Sequence, residues 1–361
     1  MRAFFTVSIL LLASAAAFAE DPSVVLAVAR AMSIEFYSAT LGKLGAVSAN
    51  GKLESVAASP DGRMLYLARD SEFSSNKCCG LYSLDLTLRN MCFLTAPAMF
   101  GLPSPDGNYL FTQGAQGVEV FDRYLNRLAT MRAPGTYNLQ PSPDGQWLLG
   151  VTNSPNPSLD IFDMGSMTLA RRLPIPAGPV TGAWAGDRFY MFHYDYYGAG
   201  GIGRLWNVNP AIRVLEEATP VQLPDLYNHC RLPMLLTLAG ARDKLFLAEA
   251  FGFKVDRRDA CPDEPLGGIF EIQVSTGHVS HIAGSVQVNR MVVTPDGRDL
   301  YAIQSSRQGE ERSMELVHID TLGGHTTQIR LQSGVRNLAL THIPPGLIPR
   351  DNARVFSNCA R

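Results

Sequence analysis

Four near-identical tetrapeptides, Ser59-Pro60-Asp61-Gly62, Ser104-Pro105-Asp106-Gly107, Ser142-Pro143-Asp144-Gly145 and Thr294-Pro295-Asp296-Gly297, each sit between two short apolar runs. Proline presets φ at the second turn position and glycine accepts a positive φ further on, so each tetrapeptide reads as a hairpin turn. The run that follows is Leu65-Tyr66-Leu67, Tyr109-Leu110-Phe111, Trp147-Leu148-Leu149 or Leu300-Tyr301-Ala302. Weaker copies of the turn occur at Gly186-Asp187-Arg188 and Arg242-Asp243-Lys244. Six turns at intervals of roughly 40 to 55 residues have the period of a four-stranded sheet repeated around an axis.

A second series has the same period. Alternating segments ending in or near a turn residue recur at 81–85, 118–122, 159–163, 204–209, 269–274 and 315–320. They read as third strands, followed by outer strands such as 277–282 and Thr326–Leu331. A seventh third strand lies upstream at 32–38, preceded by Val24–Arg30, and its missing inner strand is 337–343 at the other end of the chain. The expectation is an all-β, seven-bladed propeller of four-stranded antiparallel blades, with one blade built from both chain ends so that no edge is left unpaired. Six and eight blades are the alternatives. A sandwich would lack the fixed period, and a parallel α/β fold would need helical periods between strands.

The turn, the Leu-Tyr pair and the Val/Ile-rich strand ending in Asp resemble the YVTN-type propeller repeat. Gly150-Val151-Thr152-Asn153 with Leu159-Asp160-Ile161-Phe162-Asp163 is a close match, and Tyr301-Ala302 with Val317-His318-Ile319-Asp320 is another. The resemblance implies a fold used by surface-associated proteins, by non-catalytic large chains of periplasmic amine dehydrogenases and by some lactonases. It implies little about function.

The first 19 residues read as a cleavable secretory signal: Arg2, an apolar stretch from Phe4 to Leu12, and a small-x-small site at Ala17-Phe18-Ala19. Residues 20–350 are then the propeller and 351–361 a tail, and the product is expected to be periplasmic or secreted. No apolar run reaches the ~20 residues of a membrane-spanning helix. With 31 Lys and Arg against 33 Asp and Glu, the chain lacks the concentrated positive charge that nucleic acid or an anionic membrane would require. Six cysteines in an oxidising compartment read as disulfides. Blade geometry favours Cys230–Cys261, Cys92–Cys359 and a vicinal Cys78–Cys79 bond; the alternative joins Cys78 or Cys79 to Cys92 or Cys359.

A ligand is expected where the channel opens among the loops leading into the inner strands. The residues five before each bottom turn are Glu54, Met99, Tyr137, Pro179, Met234, Asn289 and Arg336. The adjacent row is Ser55, Phe100, Asn138, Val180, Leu235, Arg290 and Asn337. The candidate ligand residues are Glu54, Tyr137, Asn138, Asn289, Arg290, Arg336 and Asn337, with His193 and His229 near the same face. Arginines beside an acid suit bidentate capture of a polar or anionic group, or mutual pairing that locks adjacent blades.

Two local motifs carry no chemistry. Gly198-x-Gly200-x-x-Gly203 precedes a strand and not the helix that a dinucleotide site requires. His278 and His281, three apart on a strand, point to opposite faces. The leading reading is a cofactor-free, non-enzymatic binding or scaffold module whose top face takes a protein or small ligand, as a monomer or part of a periplasmic complex. A cofactor-free oxidoreductase subunit is the second reading. A lactonase- or lyase-like enzyme is the third, disfavoured because the mouth offers Glu54 as its one carboxylate and no histidine.

Overall fold

The computed structural model describes residues 24–349, apart from 31, 50–52, 70–79, 89, 96–99, 153–155, 177–179, 195–202, 212–213, 222–230, 255–267, 284–286, 309–310, 332–334 and 345. Among the described residues the regular structure is twenty-eight strands in seven four-stranded antiparallel sheets, set in a ring. Blades one to six follow chain order, with inner strands Leu53–Ala58, Leu102–Pro103, Thr136–Pro141, Val180–Ala185, Arg231–Ala241 and Gln287–Val293. Blade seven takes its inner strand, Val335–His342, from the C-terminal end. Its other three strands are Val24–Arg30, Ser33–Ser38 and Lys43–Ser48. The architecture is the seven-bladed propeller expected from the repeats, closed by its two ends. Ala27 faces Ala339 and Val28 faces Leu338 across that seam. Val25 through Ala29 are wholly buried, which explains why this strand is an unbroken apolar run: both of its faces meet other blades.

The repeated tetrapeptide builds one hydrogen-bond pattern four times. In the first copy the Ser59 and Met64 backbones pair (N to O, 2.9 Å), Gly62 N donates to Ser59 O (2.9 Å), and Met64 N donates to Ser59 Oγ (3.0 Å). Ser59 Oγ in turn donates to the Asp61 carboxylate, which also accepts from Arg63 N. Ser104, Ser142 and Thr294 repeat the pattern. The weaker copies make shorter turns. Ala185 faces Arg188 and Ala241 faces Lys244, so the loops are Gly186-Asp187 and Arg242-Asp243, with positive φ at Gly186 and Arg242.

Alternation along each strand divides side chains between the layers on either side of a blade. Leu65 and Leu67 pack with Ile34, Phe36 and Ala339 of blade seven, while Tyr66 packs with Leu110 and Phe121 of blade two. Polar stitches add to this. Arg123, in the turn after the third strand of blade two, donates to Asp61 of blade one at 2.8 Å. In blade three the wholly buried Asp160 accepts from Thr136 Oγ1 (2.6 Å), Thr152 Oγ1 (3.0 Å) and both ends of the Arg172 fork (2.6 and 2.8 Å). Each partner lies on a different strand of the blade.

Blade seven holds a second buried carboxylate. Glu35, 6% exposed, accepts from Arg30 (2.8 Å), Tyr37 (2.8 Å) and Lys43 (3.0 Å) on three adjacent strands. Burial pushes the Glu35 carboxyl up, but hydrogen bonds from Tyr37, Lys43 and Arg30 outweigh it and hold the group below its ordinary range. A carboxyl lowered on folding contributes stability above its unfolded pKa and loses it as pH falls through the folded value. Glu35→Gln is therefore expected to cost most near neutrality and least in acid. Urea titrations between about pH 3 and pH 7 measure this, and a cost independent of pH contradicts it.

Candidate functional site

Each inner strand descends from the top face to a bottom turn, and at one level these strands depart from regular pairing. In blade one Leu53 faces Arg69 and Ser55 faces Ala68, leaving Glu54 as an extra residue. In blade three Tyr137 faces Val151 and Gln140 faces Leu149, so Asn138 and Leu139 share the place of one residue. Blade five has Met234 as its extra residue, blade six Asn289, and blade seven Arg336. Five inner strands are thus bulged within one residue of the same height. The inner strand of blade four pairs without interruption. A bulge increases local twist and re-aims the side chains beside it, and bulges concentrate at barrel rims and next to active sites.

Just below that level the strands sort their side chains. Val56, Leu139, Met291 and Leu338, three residues before each turn, are buried in the layers between blades. One position above them Asn138 and Arg290 are exposed and Asn337 is half-buried, whereas Ser55 is buried and Phe100 and Val180 pack against the cores between blades. The exposed members of this row, on inner strands, border the channel. Asn138 has φ of 50°, in the left-handed region that asparagine tolerates better than most residues. Tyr137 beside it is half-buried, and burial raises its hydroxyl pKa. Ser55 is 7% exposed and its hydroxyl has no hydrogen-bond partner.

Arg290 combines exposure with enclosure. Its side chain is exposed, yet partial burial lowers its pKa. Arg290, Asn337 and Ser55 come from blades six, seven and one, whose inner strands touch in that order. The ring order therefore sets these three residues on consecutive blades. Several of the expected residues make contacts within the protein. The Asn289 amide lies 3.9 Å from Met314 Sδ on the third strand of its own blade, and Asn337 Oδ1 accepts from Leu338 N at 2.7 Å. Glu54 is half-buried and already engaged by other groups. His193 is 3% exposed, opposite Val180 and Arg204 near the top of blade four.

The side chain of Arg336 lies outside the described residues, as does that of Cys92. Residues His229, Cys78, Cys79, Cys230, Cys261 and Cys359 lie outside them entirely, and so does the N-terminal segment. The bulges themselves went unread in the sequence. Their signal was present as adjacent polar or amphipathic pairs inside otherwise apolar strands: Glu54-Ser55, Tyr137-Asn138, Asn289-Arg290 and Arg336-Asn337. Such a pair breaks the period of two that a regular strand would keep.

No family model matches the chain, and no curated protein does. Solved structures do. A putative 6-phosphogluconolactonase from Bacteroides uniformis is similar at 12% identity and TM-score 0.61, over 89% of this chain and 100% of that one. Hydrazine synthase of Kuenenia stuttgartiensis is similar at 14% identity and TM-score 0.57, over 83% and 90%. The propeller domain of the Trilobed protease from Pyrococcus furiosus is similar at 13% identity and TM-score 0.55, over 78% and 83%. That domain is described as having an open velcro topology, whereas here Val335–His342 pairs with Val24–Arg30 to close the ring. At such identities the likeness carries the fold and no activity: the chain is a seven-bladed β-propeller.

Proposed function

We propose that this chain is an exported, non-enzymatic binding module whose top face takes a protein or small ligand at the channel mouth. The observation that carries the reading is the bulge repeated at one height in five inner strands. Regular pairing would have served the ring equally well for stability, and each bulge gives up ladder hydrogen bonds. In these inner strands the departure lies at the level of Asn138 and Arg290, both exposed. A rigid disk presenting polar groups around a concave opening has the form of a recognition site.

Native mass spectrometry of the chain purified from its own host tests this. The combined variant Tyr137→Ala and Asn138→Gly, which keeps a residue suited to positive φ at the bulge, is expected to lose whatever co-purifies with the wild type. Leu322→Ser, in an exposed turn following a third strand on the bottom face, is expected to keep it. Retention by the first variant and loss from the second would place recognition on the opposite face. Release of a chemically altered ligand would make the protein an enzyme.

A further inference from the structure

Among the described residues, several arginines are paired with carboxylates. Glu35 holds Arg30, Asp160 holds Arg172 and Asp61 holds Arg123. Arg290, by contrast, has no hydrogen bond or ion pair with any described residue, and burial alone lowers its pKa, with no carboxylate opposing the shift. Positions two residues further down the inner strands, from Ala57 and Leu102 to Val292 and Ala339, carry no charge. A partly desolvated guanidinium without a carboxylate partner is costly to the free protein and gains most from an anion delivered to it. Its height matters as well. Arg290 directly follows the bulged Asn289 on the inner strand, and its side chain is exposed. At the same level in blade one, the buried Ser55 hydroxyl is a second polar group without a partner.

From this geometry we infer that Arg290 anchors a small-anion site inside the channel, taking the carboxylate or phosphate group of a small molecule in a bidentate grip. The inference rests on the reading of the mouth as a binding surface and specifies its ligand class. The guanidinium fork matches the two oxygens of such a group.

Calorimetric titration of the full chain with oxalate and with inorganic phosphate tests it, alongside thermal melts without either probe. At least one probe is expected to bind the wild type. Arg290→Gln should weaken that binding about tenfold to a hundredfold, the usual range for losing a hydrogen bond to a charged group. Arg290→Lys should keep the charge, lose the fork and fall between the two. Without probe, Arg290→Gln should melt higher than the wild type, because an uncompensated enclosed charge has been removed. Oxalate binding without phosphate binding assigns the site to carboxylates, and the reverse assigns it to phosphate groups. A wild type that binds neither probe, together with a lower melting temperature for Arg290→Gln, makes the residue structural and overturns the site. If the co-purifying ligand is lost from the Tyr137 and Asn138 variant but held at full occupancy by Arg290→Gln, the mouth reading stands and the anion assignment fails.

Discussion

Gly62→Ala is expected to loosen the closing seam of the ring at a cost of about 2–5 kcal/mol. Two effects add at this position. Gly62 has φ of 64°, where any L side chain is strained by about 1–2 kcal/mol. A Cβ built there would also lie 1.6 Å from the carbonyl oxygen of His342, the last residue of the blade-seven inner strand. Backbone cannot swing aside as a flexible side chain can, so the turn or the closing strand must shift. Gly145 is the matched control: it fills the same place in the blade-three turn with φ of 72°, and nothing lies within 4 Å of its Cβ position. Gly145→Ala should cost only the backbone strain. Urea midpoints of the two variants measure the difference directly. Equal losses would mean that the blade-one turn does not bear on the closing strand.

Asp160→Ala carries the other large effect, about 3–5 kcal/mol for breaking a buried, hydrogen-bonded charge pair. The value should fall towards the lower end, because the Arg172 side chain is 45% exposed and can rehydrate once its partner is gone. What cannot recover is the Thr152 hydroxyl, which is in a buried residue and loses its acceptor, whereas Thr136 Oγ1 keeps the Ala133 carbonyl at 2.9 Å. Asp160→Asn retains an oxygen for both hydroxyls and should cost less, while Arg172→Met leaves the buried carboxylate with neutral donors alone. A double-mutant cycle of Asp160→Asn with Arg172→Met isolates the ionic part. Additive losses would show that the hydroxyls, and not the guanidinium, carry the network.

The fold was legible because its information is local and repeated. A Ser-Pro-Asp-Gly turn needs only its own four residues and the next strand, so four copies announced four hairpins, and the observed hydrogen bonds repeat accordingly. The closing blade was legible for the complementary reason. Residues 32–38 formed a third strand with no inner strand before it, and the structure supplies Val335–His342 from the other end. Boundaries moved slightly, as where the expected outer strand 277–282 runs as Val279–Ala283.

The site was legible only as a height. Counting back from the turns gave a level at which five inner strands are bulged, but which side chains face the channel depends on register, and those bulges change it. Asn289 was placed with Arg290 as a mouth residue, yet its amide lies against Met314, while Ser55 in the adjacent row proves to carry an unpartnered buried hydroxyl. The Asp160 and Glu35 networks were not legible either. Their partners are 8 to 24 and 2 to 8 residues away in sequence, and most lie on strands whose pairing is a property of the folded blade.

Everything assigned to the mouth depends on the ring being closed, because the closing strand sets Asn337 between Arg290 and Ser55. Amide hydrogen exchange on the full chain tests the closure most directly. Residues 338–341 and 25–29 are predicted to exchange together, in the same slow class as the buried second and third strands of blade three, Trp147–Thr152 and Ser158–Asp163. Fast exchange at 338–341 with slow exchange in blade three would contradict the account: the ring would be open in solution, and the polar arc at the mouth would not be assembled.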